Sequence, residues 1–503
     1  MSFNRNIVAS FIGNTWTAVV QIAFIPLYIR ILGIEAYGLM GVYAFLQVSL
    51  SFLDLGLTPA VSREMARFRA GAHSVDEIRT LLRSVEVVFL VVALLLSIAV
   101  VLVAPWLAES WLKTDTLPIS TAIQALYLMG ALIGLRWLGG LYRGAITGLQ
   151  DLVWLNATSA AFATLRAAGV VPILTWVSPT IVAFFLYQAG ITLMELVVLF
   201  RRLWRLVPSR KTPYFSAIAL RKIWRFSAGV ALIGMLYQVL NQADKVLLST
   251  MLPLNAFGYY ALASSVAGSL SLLVVPIGSV AYPRLNELAA RADQAALGEA
   301  YHHFAQLLTL AIAPSALVLA LFSDHILLLW IGDATTAAET APLVTLLAIG
   351  GMLNAFMSSP YMLQTALGRT RLIIAFSCGY VLAFVPAVYF GVTAYGAIAA
   401  AYAWVAINAS GMVFAIPLMH RNALPRETWR WYVNDIALPA GAALGVAYVV
   451  RLVAPAPVLH ENWTLAIVVS AALLLAYSAA LSISPVGRQM LAQGWSYLAR
   501  SPA

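Results

Sequence analysis

The stretch Leu236–Tyr260, LYQVLNQADKVLLSTMLPLNAFGYY, decides how the chain is read. Most of it is apolar enough to enter a bilayer. Yet Gln238, Asn241, Gln242, Lys245 and Ser249 recur at three- and four-residue steps, which places them along one face of a helix, with Asp244 beside them. Polar and charged groups at membrane depth are costly and face a protein interior or a water-filled cavity. A hydrogen-bonded helix–helix seam would account for the Gln and Asn residues alone. Asp244 and Lys245 favour a cavity wall, which a transporter needs and a lipid-facing anchor does not.

The rest of the chain supplies the setting. Of its 503 residues 62% are hydrophobic and 10% charged, and the mean hydropathy is +0.88. A soluble protein of this length could not bury so much apolar surface. Apolar runs of about 20 residues, each long enough to span the hydrocarbon core, recur from end to end. Alternation over about ten residues, the mark of a β-barrel, is missing from them. The expectation is an all-α polytopic membrane protein with about fourteen transmembrane helices. Ala36–Leu57 is the second expected span, Phe226–Leu248 the seventh and Ile436–Val453 the thirteenth.

The net charge of +10 would suggest nucleic acid in a soluble protein. Here the basic residues fall in alternate loops, where they set orientation and meet anionic lipids, so no nucleic-acid partner is expected. The positive-inside rule places both termini in the cytoplasm. The N-terminal MSFNRNIVASF runs straight into the first span and reads as an uncleaved helix. The single cysteine, Cys378, has no partner for an intramolecular disulfide or a CxxC metal site. His302 and His303 lie in the basic loop Pro283–His303 and read as a solvated pair, and no metal or other resident cofactor is expected. GxxxxGK[ST], GxSxG and HExxH motifs are absent, which argues against a built-in ATPase and against an enzyme.

An internal repeat organises the spans. Ala36–Gly38 (AYG) reappears as Ala256–Gly258 (AFG), and Thr147–Leu152 (TGLQDL) as Leu367–Leu372 (LGRTRL), both at an offset of 220, which also pairs Gln21 with Asn241. Spans one to six (1–200) and seven to twelve (226–420) then form two six-helix lobes. An even-numbered unit relates them by a parallel pseudo-two-fold axis along the membrane normal. The basic linker 201–225, broken by Pro208 and Pro213, joins them, and 421–503 adds spans thirteen and fourteen and a tail.

The first span mirrors the opening stripe: Asn14, Thr17 and Gln21 share a face, with Arg30 beyond. The fifth adds Asn156, Ser159 and Arg166. Arg166 stands roughly 20 Å along its helix, too deep to snorkel, so it is either in a wet cavity or in a structural ion pair. A polar cavity with Arg30, Arg166 and Lys245 against Asp244 is net positive and suits an anion. Arginine matches phosphate oxygens because its planar fork binds two at once. Asp54, Glu86, Arg136 and Glu195 lie near helix ends and read as gate-forming or interfacial. Gly130/Gly134 and Gly144/Gly148 have the small-xxx-small spacing of close helix packing.

Five segments carry a resemblance: Pro26–Leu39 (PLYIRILGIEAYGL), Ser51–Arg67 (SFLDLGLTPAVSREMAR), Leu141–Gln150 (LYRGAITGLQ), Gln242–Ala263 (QADKVLLSTMLPLNAFGYYALA) and Leu363–Leu372 (LQTALGRTRL). In this order they resemble bacterial polysaccharide (O-antigen or exopolysaccharide, Wzx-type) flippases of the multidrug/oligosaccharidyl-lipid/polysaccharide exporter superfamily. The resemblance implies two lobes in a V around a central cavity. It also implies transport of an undecaprenyl-diphosphate-linked oligosaccharide from the inner to the outer leaflet of the bacterial inner membrane, by alternating access, for lipopolysaccharide or exopolysaccharide biosynthesis. An H+ or Na+ gradient would reset the cycle, with Asp244 the candidate for ion coupling. The implied protein is a monomer beside a polysaccharide polymerase and glycosyltransferases. Rival readings are a lipid II-type flippase, a drug/cation antiporter and a membrane polymerase or ligase. The antiporter wants an acidic cavity and the enzyme a large external loop.

Overall fold

The computed structural model describes residues 3–54, 56–209, 211–221, 238, 241–291, 293–454 and 462–500. Contacts divide the chain into two compact units, Met1–Gly258 and Tyr259–Ala503. Among the described residues the regular structure is helical, with one isolated bridge between Lys113 and Pro253. Helices are what a bilayer demands, since every backbone N–H and C=O must find its partner within its own segment. Among the described residues 11 helices are long and apolar enough to cross, or 12 if the bent pair Leu254–Gly268 and Ser271–Ala290 is one span. A further 18-residue helix, Ile34–Ser51, stands where the second span is expected. The expected seventh span lies mostly outside the described residues. The chain is an all-α polytopic membrane protein.

The first unit opens with α1 (Phe3–Ala23), α2 (Ile25–Leu32), α3 (Ile34–Ser51) and α4 (Leu57–Arg69). It continues with α5 (Val75–Trp106), α6 (Ile119–Gly148), α7 (Leu152–Ala168) and α8 (Ile181–Leu206). After the undescribed stretch, residues 241–251 form α9, and α10 (Leu254–Gly268) carries the chain across the boundary between units. Gly33 separates α2 from α3 with φ of 85°, a left-handed value that costs glycine nothing. Ser74 starts α5 through a capping box with Glu77, satisfying two amide groups at that helix start.

Close approach of helices replaces the hydrophobic effect where lipid is as apolar as leucine. Gly130 and Gly134 of α6 lie against Ala93, Ser97 and Val100 of α5, and Gly144 and Gly148 lie against Thr58 and Ser62 of α4. The tightest such contact joins α3 to α10. A side-chain carbon at Gly38 would overlap the Leu254 carbonyl oxygen, and one at Gly258 would overlap that of Ile34. The same carbons would stand 3.2 Å and 3.3 Å from the backbone nitrogen of the other glycine. Phe45 and Phe257 close the crossing edge to face, 6.2 Å between centroids.

The second unit comprises the rest of α10, then α11 (Ser271–Ala290), α12 (Gln294–Leu321), α13 (Ser323–Ile331) and α14 (Ala334–Phe356). Next come α15 (Ser358–Ala366), α16 (Thr370–Tyr395), α17 (Ala397–Ser410) and α18 (Ile416–Ala423). A π-helical segment, Trp431–Ala437, leads into α19 (Leu438–Val453), followed by α20 (Asn462–Ile483) and α21 (Pro485–Arg500). Helix α12 is the inner helix of this unit, packed against α11, α14, α19 and α20. Its apolar window is 67% buried, against 17% for that of α20.

Gly38→Val should lower the thermal unfolding midpoint in detergent sharply, by the equivalent of ~3 kcal/mol, because backbone cannot yield to the new side chain. Gly140→Val, with nothing within 4 Å of its added carbon, should leave the midpoint nearly unchanged. Equal effects at the two sites would show that the α3–α10 crossing is not tight.

Candidate functional site

The candidate site lies in the first unit, on α6, α7 and α8. Arg136 and Arg143 stand two turns apart on α6, which puts them on one face. Arg166 projects from α7 and Glu195 from α8. Glu195, 2% exposed, accepts hydrogen bonds from Arg143 and Arg166 on its two oxygens. Desolvation alone would make this carboxylate very costly, and two guanidinium groups offset that cost. Gln188 donates to the Arg166 carbonyl at 3.2 Å, fixing the backbone beneath the pair. Arg136 lies over the Tyr43 ring at 5.7 Å, and Tyr43 meets Phe185 edge to face at 5.5 Å. Among the described residues, neither Arg136 Nε nor the Tyr43 hydroxyl has a hydrogen-bond partner. The cluster sets the cations Arg136, Arg143 and Arg166 against the single carboxylate Glu195.

Arg166 makes an ion pair with Glu195. The cluster also gathers Arg136 and Glu195, expected at separate helix ends, around Arg166. Glu86 is held by Tyr142 and by Arg83, the latter at 2.7 Å. Asp54 accepts from the Thr58 amide at 3.1 Å and its hydroxyl at 2.9 Å, in the first turn of α4. Asn14, Gln21 and Arg30 are exposed. Asn156 serves the packing of α7 on α1 through a 3.0 Å hydrogen bond to Ser10.

On α9, Lys245 pairs with Asp244 at 3.1 Å and donates to the Asn241 carbonyl at 3.0 Å. Gln238 donates to the Val48 carbonyl at 2.8 Å. Gln242 Oε1 is buried without a hydrogen-bond partner among the described residues. Beyond this stripe, Trp111 donates to Ser249 at 3.0 Å and Lys113 to the Met251 carbonyl at 2.9 Å. The Leu254 amide donates to the Lys113 carbonyl at 2.8 Å. Glu35 fastens the same loop, accepting from the amides of Asp115, Thr116 and Leu117 and from the Thr116 hydroxyl.

Sequence reasoning missed Tyr43, Arg143, Glu35, His302 and Asp435. Arg143 counted only as a loop charge and Glu35 only as part of a motif. The solvated reading of His302 is wrong. It is 2% exposed and bonded on both ring nitrogens by carboxylates, because α12 begins well before the apolar run and carries the residue into the core. His303, one residue on, is exposed. Among the described residues no cluster of His, Cys, Asp and Glu could hold a metal ion.

Helices of this number, with paired charges buried among them, make the chain an integral membrane protein, and comparison with known proteins gives its family. The chain belongs to the polysaccharide biosynthesis protein family, whose profile matches residues 3–289. It is 22% identical over 406 residues to the "Putative O-antigen transporter" of Shigella flexneri, covering 80% of this chain and 94% of that protein. Its fold is similar to lipid II flippase MurJ in an inward closed conformation, with TM-score 0.70 and 13% identity over 94% of this chain and 97% of that one. It is also similar to an inward-facing multidrug transporter of the MATE family, with TM-score 0.67 and 14% identity over 81% of this chain and 96% of that one.

Glu195→Ala should destabilise the protein by ~3 kcal/mol, since it leaves Arg166 buried without its anion. Truncating Arg166 in the same chain should recover part of that loss, because the two residues interact directly. Thermal unfolding of the single and double variants measures it. Strict additivity would mean that the pair contributes nothing.

Proposed function

We propose that this family member is a flippase for a lipid-linked oligosaccharide on a polyprenyl diphosphate, moved across the inner membrane by alternating access. The observation that carries the reading is the cluster of Arg136, Arg143 and Arg166 around one carboxylate, which leaves an excess of positive charge among α6, α7 and α8. A diphosphate is the anion that guanidinium groups bind best, through paired N–H donors. Among the described residues, Arg136 is the member whose Nε is still without a hydrogen-bond partner. Its place against Tyr43 suits a headgroup with charge at one end and sugar at the other, since aromatic rings cover the apolar faces of sugars. The lipid tail stays in the bilayer.

In this proposal 1–200 and 226–420 act as the two lobes, and both termini face the cytoplasm. Asp244, paired with Lys245, is the site where an H+ or Na+ gradient would act. The protein works as a monomer beside a polymerase and glycosyltransferases. The name and fold of the relatives support a transporter over an enzyme. A net positive cluster disfavours a drug/cation antiporter. Lipid II carries the same diphosphate and is the reading to separate by experiment.

The test is translocation of a labelled polyprenyl-diphosphate oligosaccharide in proteoliposomes, with lipid II and a cationic dye as competing substrates. Arg136→Gln should fold as wild type and slow translocation by about 10- to 100-fold, the loss of one or two charge-assisted hydrogen bonds. Unchanged transport by Arg136→Gln would remove the cluster from the substrate path. Transport of lipid II alone, or of the dye alone, would replace the substrate.

A further inference from the structure

A second cluster of titratable groups lies in the other unit, and nothing in the proposed transport path uses it. His302, in the third turn of α12, has Asp435 on Nδ1 and Glu427 on Nε2, the latter at 3.1 Å. Asp435 is fully buried, Glu427 is 34% exposed and His302 2% exposed. Gln306, one turn along α12, donates to the second oxygen of Asp435 at 2.8 Å and accepts from the Val486 amide at 3.1 Å. The cluster thus binds α12 to the π-helical entry of α19 and to the start of α21.

We propose that His302, Asp435 and Glu427 form a proton-binding site that clasps the last helices of the chain to α12. The argument is a count of protons. A neutral imidazole offers one N–H and one lone pair, and both carboxylates need a donor. A carboxylate facing the bare nitrogen would set lone pair against lone pair. The geometry therefore requires one proton beyond a neutral ring and two carboxylates. Whether it rides on the ring or on Glu427 is immaterial to the count. An arginine here would hold the two anions permanently. Histidine is the side chain that releases such a proton within the physiological range. Asp435 sits in a π-helical segment, a local departure from regular helix that can reset at small cost.

The neighbouring groups leave this role to the trio. On α12, Tyr301 is bonded to His420 of α18 at 2.6 Å, and that hydrogen bond occupies the facing ring nitrogen. His303 is exposed. Arg430 lies 3.6 Å from Glu427 and half in solvent, and Arg421, Arg426 and Arg488 are exposed on the flanking elements. Tyr432 donates to the Met412 carbonyl and points its proton away from the cluster. Glu427 is the route by which a proton enters, because it alone of the three reaches water to a substantial degree. The sign follows: the clasp is closed while the extra proton is bound and loosens as pH rises and it leaves.

Hydrogen–deuterium exchange of the full-length protein in nanodiscs tests this, read as protection factors over residues 428–437 between about pH 6 and about pH 9. Protection in wild type should fall with pH by up to about tenfold per unit, the slope of one linked proton. His302→Arg, a permanent cation, should flatten that slope. Glu427→Gln, at a surface-accessible position, should fold normally and also flatten that slope, because its amide can donate to the bare ring nitrogen and the extra proton is no longer needed. Protection that does not change with pH in wild type, or a wild-type slope in Glu427→Gln, overturns the proposal whether or not His302→Arg folds.

Discussion

A charge removed from water must be met by an opposite charge, and in this chain the carboxylate of Glu195 imposes that condition on three helices at once. Arg143 on α6 and Arg166 on α7 converge on Glu195 of α8. Helices α7 and α8 cannot part without leaving a buried charge behind, which costs several kcal/mol. The same rule governs the second unit, where Asp435, fully buried, is matched by His302 and Gln306. The difference is chemical. Guanidinium groups keep their charge at every accessible pH, so the first cluster is a fixed tie. The second depends on a proton and is a conditional one.

Helix packing supplies the other constraint. The crossing of α3 and α10 is reciprocal: Gly38 lies on the Leu254 carbonyl and Gly258 on the Ile34 carbonyl. These are the positions that the offset of 220 residues relates, 34 to 254 and 38 to 258. Two copies of a motif meeting about a local two-fold make a self-complementary contact, as in an isologous interface. The repeat is therefore more than a trace of duplication. The glycine of each copy provides the space into which the other copy's backbone fits.

The helices were legible in the sequence because their signal is local: about twenty apolar residues suffice to announce a span. The glycine motif was legible as a repeat, but its contact was not, since contact needs the two copies brought together. Arg166 was legible as a deep charge. Its partner was not, because Glu195 lies one helix further along and pairs through a bundle that the sequence does not draw. Asp435 adjoins the expected span Ile436–Val453 and drew no reading. His302 looked solvated because it adjoins charged residues, and only the early start of α12 buries it. Local composition thus revealed depth, and long-range pairing decided role.

These ties also locate where movement is least costly. The α7–α8 pair is a rigid body for the reason given above. The loop after α5 is held differently. Trp111 gives one hydrogen bond to Ser249, Lys113 one to the Met251 carbonyl, and the Leu254 amide one to the Lys113 carbonyl. Each is a single contact of roughly 1 kcal/mol that water can replace. Lys113 is exposed, so its exchange requires no buried charge to be uncovered. Glu35 resists more strongly, with backbone amides of three successive residues on one carboxylate, and keeps the loop attached to α3 when its contacts with α9 and α10 part.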